Sequence, residues 1–313
     1  MGKQAFLFTG QGAQYTNMGK DLYENYGKFK EIFDKASEHL KINLLNICTN
    51  ENELSKTNNA QTAIFVVSYG IYKLIEQSNS PDCIAGFSLG EITSLAVSEM
   101  LNFNDTLDLI KIRGEVMQEA CDYKPGLMYS IIGAADEIVE EVCEDVSKKS
   151  NGYVIPANYN CPGQIVISGE SGTVQEAAKI FTDKKIRTVK LNVAGAFHSE
   201  LMKYNQDKLV RFLKTLNFNQ PKIELYSNLT GKKFDNNITD IKNFMIDYIP
   251  KQMSNPVRFR EELENISKDG CDLFVEIGAG KALSGFIKRT CGNAKFLNIQ
   301  DSETLKLFYE QIQ

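Results

Sequence analysis

The sequence predicts an α/β fold, in which an α/β-hydrolase-like large domain carries an inserted ferredoxin-like (βαββαβ) small domain. Strand-like and helix-like stretches alternate from the first residues, as in α/β proteins. A strand–helix–strand–strand–helix–strand order occupies the middle of the chain. A G-x-S-x-G pentapeptide at 86–90 lies between a short apolar run and a helix-like stretch, which is the usual setting of a nucleophilic serine.

The N-terminal part predicts the first elements of the large domain. A strand at 4–9 ends in a glycine-rich loop at 10–14. In the next helix the apolar residues recur every three or four positions, which places them on one face. The elements predicted after the loop are a helix at 61–77, a strand at 83–85, and helices at 91–98 and 104–120.

The middle of the chain predicts the small domain. Its elements are a strand at 127–132, a helix at 136–148, strands at 153–157 and 164–168, a helix at 173–184 and a strand at 186–191. Because this unit separates the serine motif from the second histidine, it is interpreted as an insertion. The predicted domains are therefore 1–126 with 193–313, and 127–192, with the active site in the cleft between them.

The C-terminal part predicts a return to the large domain. Gly278 and Gly280 fit neither of the common glycine-rich nucleotide-binding patterns, so they predict a strand-to-helix turn that borders the cleft. The elements before this turn are a helix at 200–216, a strand at 223–226, helices at 241–253 and 259–268, and a strand at 273–276.

Ser88 is the candidate nucleophile. A serine on a sharp turn from strand to helix exposes its hydroxyl, and flanking glycines let the backbone turn tightly. The next residue can offer its backbone N–H to a developing oxyanion at the helix N-terminus. A five-residue pattern also arises by chance, and the alternative is an ordinary serine in a glycine-bordered turn.

His198 is the candidate base, because a serine hydroxyl is a weak nucleophile until its proton is removed. The chain has only two histidines. His39 lies in a charged amphipathic helix and is expected to be a solvated helix residue. His198 follows a predicted strand, and strand ends are where α/β enzymes place functional groups.

Composition excludes several classes of protein. The net charge of −5 and the pI of about 5.4 argue against a nucleic-acid binder. The longest strongly apolar run, 63–67, is far too short for a membrane span. The apolar start of the chain is too short for a signal peptide and is typical of a strand. Seven widely spaced cysteines indicate reduced thiols, so a cytoplasmic protein is expected.

Several motifs occur together in one order along the chain. In the T-x-x-x-Q segment that ends at Gln61, the next residue is Thr62, at a position where proline is usual. They are a G-Q-G loop around Gln11, a T-x-x-x-Q segment ending at Gln61, the serine turn, R-G-x-x-M-Q from Arg113 through Met117, N-x-N-x-P-x-Q-x-V-I-x-G from Asn158, F-H-S at Phe197 and His198, and Q-x-x-N-P-V from Gln252. With these motifs the chain resembles the malonyl-CoA:acyl-carrier-protein transacylases, which supply malonyl units for fatty acid synthesis.

The resemblance implies a ping-pong transfer. Ser88 would take the malonyl group from malonyl-CoA and pass it to the phosphopantetheine thiol of acyl carrier protein, with His198 as general base and then general acid. A backbone carbonyl near Gln252 would orient the histidine in place of a triad carboxylate. Backbone N–H groups of Gln11 and Leu89 would form the oxyanion hole. The remaining motif residues Gln61, Met117, Asn158, Phe197 and Gln252 would support the site.

The resemblance assigns the free carboxylate of malonate to Arg113. Physical chemistry supports this role, since a guanidinium offers a carboxylate a planar two-point match. An acetyl group has no second carboxylate and should be a poor substrate. The alternative, an arginine on a solvated helix face, fits the apolar surroundings of this residue less well.

Two phenylalanines bear on specificity. Phe87 occupies the position before the nucleophile where the family commonly has histidine. Because of this departure, the resemblance does not define the shape of the acyl pocket. Phe197 precedes the catalytic histidine, as in relatives that handle malonyl, where its bulk fills the space of an α-methyl group. Ordinary core packing is an equal alternative for Phe197.

Malonyl-CoA and acyl carrier protein are the expected partners of a monomeric enzyme with no bound cofactor or metal, and neither nucleic acid nor a membrane is expected.

The first alternative function is a free-standing acyltransferase that loads a polyketide synthase carrier domain, which the motifs do not separate from the main hypothesis. An α/β esterase usually has its histidine near the C-terminus, whereas 115 residues follow His198 here (313 − 198). A non-catalytic scaffold would have little reason to hold Ser88, His198, Arg113 and Gln11 together.

Overall fold

The computed structural model describes residues 2–235 and 237–312. The chain forms one parallel and one antiparallel sheet, so the predicted α/β class is confirmed. The strands are β1 (Lys3–Phe8), β2 (Cys83–Gly86), β3 (Gly126–Ile132), β4 (Val154–Cys161), β5 (Gln164–Glu170), β6 (Arg187–Lys190), β7 (Glu224–Leu225), β8 (Cys271–Ile277) and β9 (Lys295–Ile299). The helices are α1 (Lys20–Asn25), α2 (Gly27–Leu40), α3 (Leu44–Thr49), α4 (Glu51–Leu54), α5 (Thr57–Ile75), α6 (Leu89–Val97), α7 (Phe103–Tyr123), α8 (Asp136–Ser150), α9 (Ser171–Asp183), α10 (Gln206–Leu213), α11 (Ile241–Ser254), α12 (Phe259–Lys268), α13 (Ala282–Thr290) and α14 (Ser302–Ile312).

The parallel sheet has the strand order β7-β2-β1-β8-β9 and is buried on both faces. Phe6 and Phe8 of β1 pack into the main core with α2, α5 and α7. Ala5 and Leu7 pack on the opposite face, against α12 and α13. This alternation explains why β1 is almost continuously apolar, as expected for a strand with helices on both sides. No described helix is both long enough and apolar enough to cross a membrane.

The antiparallel sheet has the order β4-β5-β3-β6. One face packs against α8 and α9 through a separate core that includes Ile131, Ile167 and Phe181. The opposite face presents Met128 and Ser130 to a cavity between the two sheets. The sheet therefore forms one wall of that cavity.

A short backbone bridge joins the small sheet to the segment between α11 and α12, beside this cavity. The Tyr159 N–H donates to the Val257 carbonyl at 2.8 Å, and the Val257 N–H donates to the Ala157 carbonyl at 2.9 Å. Val257 follows α11 and is fully buried. The segment after α11 thus pairs with β4, while the Val257 side chain packs in the core that includes Ala5 and Leu7 of β1.

Two predicted elements need correction, and several observed elements have no predicted counterpart. The helix predicted at 200–216 is divided into a 3₁₀ turn (Glu200–Lys203) and α10, because Asn205 between them is in the left-handed region at φ 54°. The strand predicted at 223–226 is paired only at Glu224–Leu225. The sequence analysis also missed five elements, namely α1, α3, α4, β9 and α14.

Two glycines let β1, β2 and α6 approach closely. A Cβ on Gly90 would lie 2.0 Å from the Phe8 carbonyl oxygen, and a Cβ on Gly86 would lie 1.9 Å from the Gly90 carbonyl carbon. No side chain fits at these distances. The turn from β2 to α6 is therefore fixed by backbone contact with β1.

We expect Gly90→Ala to destabilise the protein by at least about 1–3 kcal/mol, the usual cost of overpacking. Gly285→Ala is the matched control, since its Cβ would meet nothing within 4 Å and alanine favours helix by up to about 1 kcal/mol. Thermal unfolding should show a lower Tm for the first variant and an equal or higher Tm for the second. Equal Tm values for Gly90→Ala and the wild type would contradict the close contact.

Candidate active site

The loops that follow β1, β2 and β8 meet at one edge of the parallel sheet, because parallel strands end together. A cavity of about 440 Å³ lies there, between this edge and the exposed face of the small sheet. The predicted site residues that line it are Gln11, Ser88, Met117, Asn158, Phe197 and His198. Both sheets therefore contribute to the site.

Ser88 occupies a strained turn between β2 and α6. Its backbone has φ 54° and ψ −98°, a conformation that costs a residue with a side chain about 1–3 kcal/mol. The close contacts of Gly86 and Gly90 hold the turn in this shape. This turn conformation places the serine hydroxyl in the cavity, at the start of α6.

The Ser88 hydroxyl is paired with His198. Ser88 Oγ lies 2.7 Å from His198 Nε2, and His198 Nδ1 lies 3.0 Å from the backbone carbonyl oxygen of Gln252. A carbonyl can only accept, so Nδ1 carries the proton of the neutral ring. The lone pair of Nε2 then faces the serine hydroxyl, as a general base requires.

The surroundings of His198 keep its imidazole neutral. Burial lowers its pKa to about 4, and the nearby positive charge of Arg113 acts in the same direction. The backbone of His198 has a φ of 57°, and its backbone N–H donates to the Met253 carbonyl at 3.1 Å. At neutral pH the ring is therefore neutral, and its Nε2 is a hydrogen-bond acceptor in a fixed position.

Arg113 is buried beside the serine with only neutral partners. Its Nη1 donates to Gln61 Oε1 at 2.8 Å, and Nη2 lies 3.3 Å from both Ser88 Oγ and Gln252 Oε1. Arg113 Nε has no hydrogen-bond partner in the described part of the chain. Burial lowers the pKa of this guanidinium to about 10, so it stays charged at neutral pH.

Two glutamines connect Arg113 with the rest of the site. Gln61 also donates from Nε2 to Gln11 Oε1 at 3.1 Å and lies 3.5 Å from Met117 Sδ. Gln252 donates from Nε2 to the Ser88 carbonyl at 2.9 Å, in addition to holding His198 through its own backbone. Both amides are fully buried, so their hydrogen bonds fix the guanidinium in one orientation.

The backbone N–H groups of Gln11 and Leu89 lie on the two loops nearest the serine. A Cβ on Gly10 would lie 2.2 Å from the Phe87 carbonyl oxygen, so the two loops touch. Neither N–H donates to an acceptor among residues 2–235 and 237–312. Leu89 is also the first residue of α6, where the helix dipole favours negative charge.

The remaining candidates lie in the walls or outside the site. Asn158 and Phe197 line the cavity and are 4% and 6% exposed. Phe87 lines it as well, with its ring against Phe259 at a centroid distance of 5.3 Å. His39 lies on α2 and pairs with Asp108 of α7 at 3.0 Å; it does not line the cavity.

A buried polar cluster behind the serine turn was missed by the sequence analysis. Burial raises the pKa of Glu91 to about 7 and the pKa of Glu262 well above its usual range. Both carboxyls bond to Asn228, and the Tyr248 hydroxyl donates to Glu91. No spacing pattern connects these residues, since they come from α6, α11, α12 and the loop after β7.

Known proteins are similar to this chain over nearly its whole length. The family model for the acyl transferase domain matches residues 5–305. A malonyl CoA-acyl carrier protein transacylase of Bacillus subtilis (strain 168) is 36% identical over 317 residues, which cover 100% of this chain and 98% of the relative.

Solved structures of such proteins superpose closely. The malonyl CoA-acyl carrier protein transacylase from Clostridium perfringens has a TM-score of 0.92 and 35% identity, covering 99% of this chain and 97% of its own. A malonyl-transacylase in complex with its type II PKS acyl-carrier protein has a TM-score of 0.92 and 30% identity, covering 99% of both chains. The chain therefore belongs to the acyl transferase family, in the group of malonyl CoA-acyl carrier protein transacylases.

Proposed function

We propose that this chain transfers a malonyl group from malonyl-CoA to the phosphopantetheine thiol of acyl carrier protein, in the supply of malonyl units for fatty acid chain elongation. The observation that carries the proposal is the placement of three groups: Ser88 Oγ lies 2.7 Å from a neutral His198 and 3.3 Å from the buried cation of Arg113. The proposed nucleophile thus contacts both a base and a carboxylate-binding group, at the cavity that Ser88 and His198 line. The names of the relatives support the same substrates.

In the first half-reaction Ser88 Oγ attacks the thioester carbonyl carbon while His198 Nε2 takes its proton. The carbonyl oxygen becomes an oxyanion, and the backbone N–H groups of Gln11 and Leu89 are proposed to donate to it. When the intermediate collapses, the C–S bond breaks and the leaving sulfur takes the proton from His198. The products are free coenzyme A and malonyl-Ser88.

In the second half-reaction the thiol of the carrier protein gives its proton to His198 and attacks the malonyl-serine ester. The C–O bond to Ser88 breaks, and His198 returns the proton to the serine oxygen. The Gln252 carbonyl is proposed to hold the Nδ1–H throughout, and it stabilises the imidazolium that forms in each step. No group is consumed, so the enzyme returns to its starting state.

Arg113 is proposed to bind the free carboxylate of malonate. Its guanidinium is fully charged, lies beside the nucleophile and has only neutral oxygen partners. A carboxylate is a stronger acceptor than a neutral amide or hydroxyl, so it can displace the weaker contacts at 3.3 Å. Met117, Asn158 and Phe197 are proposed to shape the remaining walls of the acyl pocket.

We also propose the domain division 1–126 with 193–313, and 127–192. The strand order β4-β5-β3-β6 with two helices on one face supports a ferredoxin-like small domain. The serine turn after a parallel strand supports an α/β-hydrolase-like large domain.

The wide spacing of the cysteines supports a reducing compartment such as the cytoplasm.

Ser88→Ala should abolish the malonyl-enzyme, because no other hydroxyl lies at this position. The measurement is intact mass after mixing with malonyl-CoA, without and with acyl carrier protein. Ser94→Ala is the control, since that hydroxyl is buried within α6 and bonds the Gly90 carbonyl. A Ser88→Ala protein that still gains the malonyl mass would contradict the proposal.

His198→Ala should slow transfer by about a hundredfold or more while the fold is retained, the usual range for loss of a positioned base. His39→Ala is the matched control and should be close to silent.

In the wild type, acylation by malonyl-CoA should rise with pH through about 4 and then stay level to neutral pH, because the pKa of His198 is lowered to about 4. Rapid-quench measurements of the acylation rate test both effects. Equal rate losses in His198→Ala and His39→Ala would mean that His198 is not the base.

Arg113→Ala should lower kcat/KM for malonyl-CoA by at least about 30-fold, as expected when one partner of a buried charge pair is removed. Acetyl-CoA has no charge to match, so its kcat/KM should be unchanged or improved. Arg113→Lys keeps the charge without the two-point geometry and should rescue only partly. An equal fall for both substrates would mean that Arg113 supports the fold or binds the shared coenzyme A moiety.

A further inference from the structure

Asn228 lies directly behind the serine turn and is 1% exposed. Its side-chain oxygen accepts the Ser88 N–H at 2.8 Å, and its side-chain nitrogen donates to the Gly86 carbonyl at 2.7 Å. One primary amide thus holds the backbone on both sides of Phe87. These are the residues between which the chain turns from β2 into α6.

The other contacts of Asn228 fix the orientation of its amide. Asn228 Oδ1 also accepts from Gln252 Nε2 at 3.2 Å, and Asn228 Nδ2 also donates to Glu262 Oε1 at 2.7 Å. Two donors therefore face the oxygen and two acceptors face the nitrogen. A flipped amide would lose all four hydrogen bonds.

The backbone of Asn228 is held as firmly as its side chain. Its N–H donates to Glu91 Oε1 at 3.0 Å, and its carbonyl accepts the Arg258 N–H at 2.8 Å. The backbone and side-chain polar groups of Asn228 are thus all paired, and satisfied polar groups in a buried network favour one geometry. The position of the Asn228 amide is therefore set by α6, α12 and the segment after α11.

Glu262 is the carboxyl contact of this amide. It is fully buried, and its second oxygen, Oε2, has no hydrogen-bond partner in the described part of the chain. An ionised carboxylate would be costly in such a place, so the group acts as a neutral acid that offers Oε1 as an acceptor. A glutamine at this position would offer the same acceptor.

We propose that Asn228 is a positioning residue that holds the strained serine turn in its reactive shape, with Glu262 as the neutral acceptor that anchors its amide. The proposal rests on the proposed function only in that Ser88 is the reacting residue. Loss of the amide frees the Ser88 N–H and the Gly86 carbonyl, so the turn relaxes and the hydroxyl moves away from His198. Misplacement of a reacting group by about 1 Å can cost on the order of a hundredfold in rate.

The test measures the reactivity of Ser88 in two ways. The first is the second-order rate of labelling by phenylmethylsulfonyl fluoride, which does not depend on malonyl-CoA. The second is kcat and KM for malonyl transfer, with kcat corrected for active sites by the labelling stoichiometry. If the wild type is labelled by the sulfonyl fluoride but takes no malonyl group, the proposed function fails while this inference can still be judged.

Asn228→Ala should lower both the labelling rate and kcat about 10- to 100-fold, with KM for malonyl-CoA changed less than about threefold. Asn265→Ala is the matched control: Asn265 donates to the Gly231 carbonyl at 2.7 Å, so it bonds the same loop without reaching the serine turn. It should lower the Tm without changing kcat per site. A purely structural role would give both variants the same pattern.

Two variants of Glu262 keep the test decisive if Asn228→Ala does not fold. Glu262→Gln should retain near wild-type labelling and kcat, because the neutral acceptor is kept. Glu262→Leu should lower both rates in the same direction as Asn228→Ala. Wild-type kcat per site in Asn228→Ala, an equal kcat loss in Asn265→Ala, or equal kcat in the two Glu262 variants would each overturn the proposal.

Discussion

The burial of one positive charge organises this site. Arg113 is 1% exposed, and a buried cation needs compensating hydrogen bonds. Neutral oxygens of Gln61, Gln252 and Ser88 supply them. These partners are also the residues that reach the N-terminal loop, the histidine and the nucleophile, so the requirement to satisfy one guanidinium draws the separate parts of the site together.

The same charge acts on the histidine without touching it. Burial and the field of Arg113 together keep the imidazole neutral, and the Gln252 carbonyl fixes which nitrogen carries the proton. A carboxylate in place of that carbonyl would raise the pKa of the histidine. The hydrogen bond to the Gln252 carbonyl raises this pKa as well, but burial and Arg113 outweigh it, so the backbone acceptor orients the proposed base while the ring stays neutral.

Much of the fold and the reactive pair could be predicted from the sequence, because both depend on short patterns. The serine turn needs only a strand, two glycines and a helix start, and with two histidines in the chain the choice of base was narrow. Asn228 could not be predicted, since its importance comes from backbone atoms more than a hundred residues away in the chain. Glu262 could not be predicted either, because it acts only through Asn228. The break of the helix predicted at 200–216 was missed at Asn205, because asparagine is enriched among left-handed residues but also occurs within helices, so one such residue does not mark a break.

Ser88 and His198 both have positive φ angles, at 54° and 57°. A residue with a side chain holds such a backbone only at the expense of folding free energy. Both proposed reactive positions therefore oppose the stability of the whole protein, and selection for heat resistance alone would favour glycine at each. The serine and the histidine persist at these positions only under selection for chemistry, which makes the site a place where the evolutionary demands of activity and stability are in direct conflict.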